Sequence, residues 1–219
     1  MVAAMTDPAF PAPSLAGVAL ACRRGERLVF ARLDFAVAPG GALILVGPNG
    51  SGKSSLLRLM AGLTPPQEGR LLWDGTEIVE DRAAHRARLH FIGHADALKA
   101  TFTAAETLEF WAGMRGGGAV AAALDRFRLS RHGSTPCRLL SAGQRRRLAL
   151  ARLVASPAAL WLLDEPLTGL DDEAVADLED AIAEHRAAGG RVALSTHAPI
   201  VLGDAITLAL DDHAPAMAP

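Results

Sequence analysis

Residues Gly47-Pro48-Asn49-Gly50-Ser51-Gly52-Lys53-Ser54 match the pattern G-x-x-x-x-G-K-[ST] in full, and no other stretch constrains the fold as strongly. The flanks matter as much as the octapeptide. Ala42–Val46 is a short continuous apolar run, as expected of a strand buried on both faces in a parallel sheet. Ser55–Leu63 carries Leu56, Leu57, Leu59 and Met60 and reads as a helix. Strand, glycine loop and helix in that order form a phosphate-binding loop. Gly50 and Gly52 let the backbone approach phosphate oxygens with no Cβ in the way. Successive N–H groups then make an anion nest, to which the helix N-terminus adds partial positive charge. Lys53 would reach the β- and γ-phosphates of a nucleotide, and the Ser54 hydroxyl would ligate Mg²⁺. Gly47, Pro48, Asn49, Ser51 and Ser55 complete the expected nucleotide-binding stretch.

The rest of the chain supplies the other pieces of an α/β sheet protein. Leu28–Val37, Gly69–Trp73, Leu89–Ile92, Leu160–Leu163, Val192–Ser195 and Ala205–Leu210 read as strands. Asp172–Ala188 reads as a helix with Val175, Leu178 and Ile182 on one face, closed by Gly189-Gly190. Between about residues 95 and 139 the pattern turns helical, over Ala104–Met114 and Ala119–Phe127, and this stretch is taken as an insertion. Leu160-Trp161-Leu162-Leu163 places Asp164 at the C-terminal end of a central strand, the edge where open α/β sheets bind ligands. Asp164 suits a Mg²⁺ role there, and Glu165 suits orienting and deprotonating an attacking water.

Composition narrows the class. Half of the 219 residues are hydrophobic and the net charge is −2, which excludes disorder. Mean hydropathy is +0.22, yet no apolar run approaches the roughly 20 residues of a spanning helix. Two cysteines, Cys22 and Cys137, exclude a disulfide scaffold and suit a reducing compartment. The run Arg145-Arg146-Arg147 reads as a solvated helix face, and nothing makes a basic stripe for nucleic acid.

Leu140-Ser141-Ala142-Gly143-Gln144 precedes a helical stretch, and Ser141 and Gln144 have capping-box spacing. With one change, Ala142 for glycine, this pentapeptide resembles the signature of ATP-binding cassette (ABC) ATPases. The order phosphate loop, helical insertion, signature, Asp164-Glu165, Leu170-Asp171 and Ser195-Thr196-His197 resembles that family over nearly the whole chain. The resemblance implies a P-loop NTPase fold: a RecA-like parallel sheet core, antiparallel N-terminal β strands and an inserted α-helical subdomain. It implies one nucleotide-binding domain over 15–212, with a flexible lead-in at 1–14 and a tail at 213–219. It implies ATP and Mg²⁺ as cofactors, Lys53, Glu165 and His197 as catalytic residues, and His197 as the γ-phosphate sensor. In such a homodimer Ser141, Ala142, Gly143 and Gln144 act in trans on the partner's ATP, and Asp171 lines the seam.

Two positions depart from the family pattern. The chain has no tyrosine, and the adenine-stacking aromatic falls at Arg24. Arg24 either stacks its guanidinium plane on adenine or is solvated. His94 follows Phe91-Ile92-Gly93 where a glutamine usually meets the metal and γ-phosphate; a neutral imidazole can hydrogen-bond a metal-bound water. Together with Cys22–Arg27, Gly93-His94 and Trp161–Pro166, these features look like the haem exporter ATP-binding subunits of bacterial cytochrome c maturation. That implies a translocase subunit held peripherally at the cytoplasmic face of the inner membrane by integral membrane haem-handling subunits. It implies no nucleic-acid partner and no haem site on this chain. Another ABC importer or exporter ATPase is the alternative, and a nucleic-acid-acting ABC ATPase a remote one. Phe102, Phe110 and Trp111 either fill a small core of the insertion or line a groove for a partner helix.

Overall fold

The computed structural model describes residues 14–213. The expected lead-in and tail therefore lie outside the described residues, except for Ser14 and His213. Ser14 is not part of a loose lead-in: it is buried, and its carbonyl accepts the Asp74 N–H at 2.7 Å.

Two sheets form the frame. The first is antiparallel, ordered β2-β1-β4-β5, from β1 (Leu15–Arg24), β2 (Arg27–Val37), β4 (Glu68–Trp73) and β5 (Thr76–Glu77). The second is parallel, ordered β6-β7-β8-β3-β9, from β3 (Ala42–Val46), β6 (Leu89–Ile92), β7 (Leu160–Asp164), β8 (Arg191–Ser195) and β9 (Ile206–Ala209). Every residue of β7 and β8 is buried, because helices or strands cover both faces. Alternate residues divide between two cores. Leu160, Leu162 and Ala193 face one with the antiparallel sheet and α1 (Lys53–Met60); Trp161, Leu163, Val192 and Leu194 face the other.

The helix α1 starts at Lys53 and ends at Met60, two and three residues earlier than its apolar pattern indicates. Gly62 stops it by taking a φ of +63°. A short helix, α2 (Arg82–Ala87), has no counterpart in the sequence reading. Its six residues lack an apolar stripe, and it starts because Asp81 Oδ1 accepts the Ala84 N–H at 2.8 Å.

The insertion contributes α3 (Ala104–Gly113) and α4 (Val120–Arg126), both packed on α5 (Ala142–Ala155). Ala104, Leu108, Ala123, Leu124 and Phe127 join Leu148, Leu150, Ile92 and Trp161 in one continuous core. The insertion has no separate core made by its aromatic cluster. Phe110 is 52% exposed, and Phe102, Phe110 and Trp111 form an edge-to-face ladder with centroids 6.3 and 5.6 Å apart. The last long helix, α6 (Asp172–Ala187), follows β7 and ends before Gly189, whose φ is +87°. Among the described residues no helix is long and apolar enough to cross a membrane.

Candidate functional site

The C-terminal edge of the parallel sheet gathers the candidate residues. The phosphate loop leaves β3 at Gly47, where φ is +139° and a Cβ would lie 2.5 Å from Asp211 Oδ1. Gly52 has φ +109°, and its Cβ would meet Val29 Cγ1 of β2 at 2.5 Å. Glycine at 52 is thus demanded by packing as well as by a phosphate. Gly50 (φ +83°) has open space around its Cβ position, as a ligand-facing glycine should. The helix α1 has no side-chain cap, so its first N–H groups have no acceptor from a capping side chain. Lys53 is buried and folded back across the loop. Its Nζ donates to the Gly47 carbonyl at 2.7 Å and the Pro48 carbonyl at 3.3 Å, and lies 3.1 Å from His197 Nε2.

The strand order explains the second cluster. β8 lies between β3 and β7, so the end of β8 meets both the phosphate loop and Asp164. Ser195, fully buried, donates from Oγ to Asp164 Oδ1 at 2.7 Å. Ser54 Oγ donates to the same oxygen at 3.0 Å. The Glu165 N–H points at the Ser195 carbonyl (3.1 Å) and Oγ (3.0 Å). Glu165 has φ +49°, a left-handed conformation that costs a residue with a Cβ about 1–2 kcal/mol. That turn brings Glu165 Oε1 to 3.4 Å from His197 Nε2, which is also 3.0 Å from Asn49 Oδ1. Lys53, Asn49, Glu165 and His197 are therefore one constellation, although 148 residues separate Asn49 from His197.

Ser54 Oγ and Asp164 Oδ1 are hard oxygen donors side by side. Among the described residues no three His, Cys, Asp or Glu side chains form a metal cluster. The pair fits Mg²⁺, which needs only one or two protein oxygens beside phosphate oxygens and water. His94 is exposed and has no hydrogen bond to any other candidate residue.

The signature residues lie elsewhere. Ser141 Oγ accepts the Gln144 N–H at 3.2 Å, and Gln144 Oε1 accepts the Ser141 N–H at 2.8 Å, a complete capping box on α5. Ser141 and Ala142 are exposed. Ala142 is the first helical residue of α5, a place that needs no positive φ, so alanine replaces glycine there without strain. Asp171 caps α6, with Oδ1 accepting the Ala174 N–H at 2.9 Å. Arg24 is exposed beside a groove of about 430 Å³ that also takes in Cys22, Ser54, Ser55 and Arg58. Burial pushes the Cys22 thiol pKa up, against smaller lowering by Ser55 and Arg24. A cavity of about 660 Å³ lies at the opposite edge of the sheet around Ala155–Ala159, Trp161, His185 and Gly190 and holds none of these residues.

The expected solvated face over Arg145-Arg146-Arg147 is overturned at its middle residue. Arg146 does not belong to a solvated face: it is 5% exposed. Its guanidinium donates to the carbonyls of Pro166 (3.2 Å), Gly93 (3.1 Å), Asp164 (3.2 Å) and Glu165 (2.7 Å), and to Asp96 Oδ1 (3.3 Å). Helical spacing held the signal, because residue 146 shares a face with Ala149 and Leu150, both fully buried. Motif spacing assigns no role to the Ser195 hydroxyl; its sign in the sequence is a serine that ends an otherwise apolar strand.

Residues 30–168 match the family described as ABC transporter. The chain is 54% identical over 216 residues to the cytochrome c biogenesis ATP-binding export protein CcmA of Paramagnetospirillum magneticum, spanning 96% of this chain and 97% of that protein. It is 53% identical over 219 residues to the protein of the same name from Rhodospirillum rubrum, spanning 98% and 94%. Among solved structures it is similar to an ATP binding subunit of an ABC transporter, with 27% identity and a TM-score of 0.75 over 84% of this chain and 79% of that one.

Proposed function

The chain belongs to the ABC transporter family of ATP-binding subunits, and from that premise we propose that it powers haem export for cytochrome c-type biogenesis. It is an ATP hydrolase coupled to transport. Residues 15–212 act as one nucleotide-binding domain, with 95–139 as its inserted helical part. Two copies pair, and integral membrane haem-handling subunits hold them at the cytoplasmic face of the bacterial inner membrane. The haem reading rests on the near-full-length similarity to export proteins of cytochrome c biogenesis.

One observation carries the ATPase mechanism: Lys53 Nζ, His197 Nε2 and Glu165 Oε1 converge at the mouth of the phosphate loop, while Ser141 stays outside, on the exposed start of α5. Lys53 Nζ exchanges neutral acceptors for β- and γ-phosphate oxygens, a charge-assisted bond that is stronger. The N–H groups of residues 50–55 cradle the phosphates, and Arg24 offers its guanidinium plane to adenine. Ser54 and Asp164 would hold Mg²⁺, which neutralises charge on the β- and γ-phosphates when bound. Glu165 orients a water and takes its proton as the water oxygen bonds to the γ-phosphorus and the bond to the ADP oxygen breaks. His197, whose Nε2 lies 3.1 Å from Lys53 Nζ, would hydrogen-bond the γ-phosphate beside that lysine. The signature of one copy closes over ATP in the other, so ATP stabilises the closed pair by contacts that the open pair lacks.

Glu165→Gln tests the mechanism. It should bind ATP as the unaltered chain does, turn over at least about a hundredfold more slowly, and form an ATP-dependent dimer on light scattering. Wild-type turnover would remove Glu165 as the base. Purification of the full chain from native membranes tests the cargo. Integral membrane proteins carrying haem are expected, and a periplasmic solute-binding protein in their place would make this an importer.

A further inference from the structure

The helix α5 begins at the exposed signature residues and, within its second turn, carries Arg146 into the interior. A guanidinium has five N–H bonds in a rigid planar fork. Each of the five has an acceptor here: Nε takes Pro166, one terminal nitrogen takes Gly93 and Asp96, and the other takes Asp164 and Glu165. Three of these are consecutive carbonyls at the end of β7. The other two lie on the loop after β6 that carries His94. A saturated, buried fork of this kind has one geometry, so its partners cannot shift independently.

Glu165 is pinned from both sides. Its N–H is held by Ser195 and its carbonyl by Arg146 at 2.7 Å, and between them φ stays at +49°. The direction of the Glu165 side chain is therefore set partly by the position of α5. We propose that Arg146 is a positioning residue that couples the signature helix to the catalytic carboxylate of the same chain. When the start of α5 engages the ATP of the second copy, the fork transmits the displacement to Glu165 and to the loop of His94. The two ATP sites of a pair thereby report to each other through each chain. This rests on the reading of Glu165 as the base.

The full chain with Arg146→Met and Arg146→Lys provides the test. Methionine keeps length and apolar packing with no donor, and lysine keeps the charge with three donors in place of five. Steady-state hydrolysis, ATP affinity by calorimetry and backbone hydrogen exchange by mass spectrometry are read on each. Arg146→Met should lower kcat at least about tenfold with ATP Kd within about twofold. Exchange should rise together in the segments 93–98 and 163–168, and the Hill coefficient for ATP should fall toward one. Arg146→Lys should recover part of kcat and of the exchange protection. Asp96→Ala removes only the outermost acceptor and keeps the proposal testable if Arg146→Met does not fold. It should lower kcat by about two- to fivefold and raise exchange at 163–168, a segment it does not touch. Unchanged exchange at 163–168 in either variant overturns the coupling, as does a loss of ATP affinity matching the loss of kcat. Exchange also separates this proposal from the base assignment: wild-type turnover in Glu165→Gln sinks the base, while exchange in the Arg146 variants still judges the fork.

Discussion

Ser195→Ala offers a direct measure of how the C-terminal edge of the parallel sheet is held. The hydroxyl is fully buried, donates to Asp164 Oδ1 at 2.7 Å and accepts the Glu165 N–H at 3.0 Å. Alanine fits the same space and leaves no cavity of consequence, so the loss is that of the hydrogen bonds. A hydrogen bond to a charged group is worth about 1.5–3 kcal/mol. The Glu165 N–H keeps the Ser195 carbonyl at 3.1 Å, so its share of the loss is small. Asp164 keeps Ser54 Oγ at 3.0 Å, but Ser54 is exposed and in exchange with water. The expected destabilisation is about 2 kcal/mol, or about 4–8 °C in Tm for a chain of this size. With Asp164 free to rotate, kcat should fall about tenfold, equivalent to about 1.4 kcal/mol. Urea unfolding followed by circular dichroism, beside steady-state phosphate release, reads both. A stability change below about 0.5 kcal/mol with unchanged kcat would show that the strand order does not orient Asp164 through Ser195, and the account of the site would fail there.

Two further predictions concern the far edge of the sheet. A Cβ on Gly190 would lie 2.1–2.5 Å from three atoms of the His185 ring, which cannot retreat because it stacks on Trp161 at 4.0 Å and 5°. Gly190→Ala should cost about 2–3 kcal/mol in chemical denaturation, and His185→Ala should relieve much of it in the double variant; purely additive losses would refute the contact. Acid should destabilise the protein through the same region. Burial pushes His90 and His185 down to about 4, with Arg115 and Arg152 adding to the effect at His90. Both imidazoles are neutral when folded, so their stability is full above about pH 6.5 and is lost as pH falls toward 4. For the buried His90 alone the loss is on the order of 3 kcal/mol. A Tm profile flat from pH 7 to 4.5 would contradict it, and His90→Gln should flatten the profile.

What could be read along the chain follows the range of the interactions. The phosphate loop, the Ser141–Gln144 capping box and the strand ending in Asp164 are local: they depend on residues within a few positions of one another. Their periodicity and end residues are therefore visible in the sequence. So is the α/β class, because β7 and β8 are apolar on both faces. The sequence did not reveal α2, whose six residues are held by one cap and have no apolar stripe, or the edge-to-face ladder in which exposed Phe110 stands between half-buried Phe102 and Trp111. Local pattern says that an aromatic is apolar; it does not say which side of a helix finds a partner.

The sequence by itself determined a phosphate-loop motif at the end of one buried strand, an Asp-Glu pair at the end of another, and a capped helix that starts within the signature residues. Only the tertiary structure decided what those parts do to one another. The order β6-β7-β8-β3-β9 puts Ser195 between the phosphate loop and Asp164, and brings His197 to Lys53 across 144 residues. The packing of α5 turns one arginine of an apparently solvated run into a buried fork on Asp164, Glu165 and Pro166. The physical reason is that a buried charge persists only where acceptors from distant segments converge on it. That convergence depends on strand order and helix placement, which no run of neighbouring residues encodes.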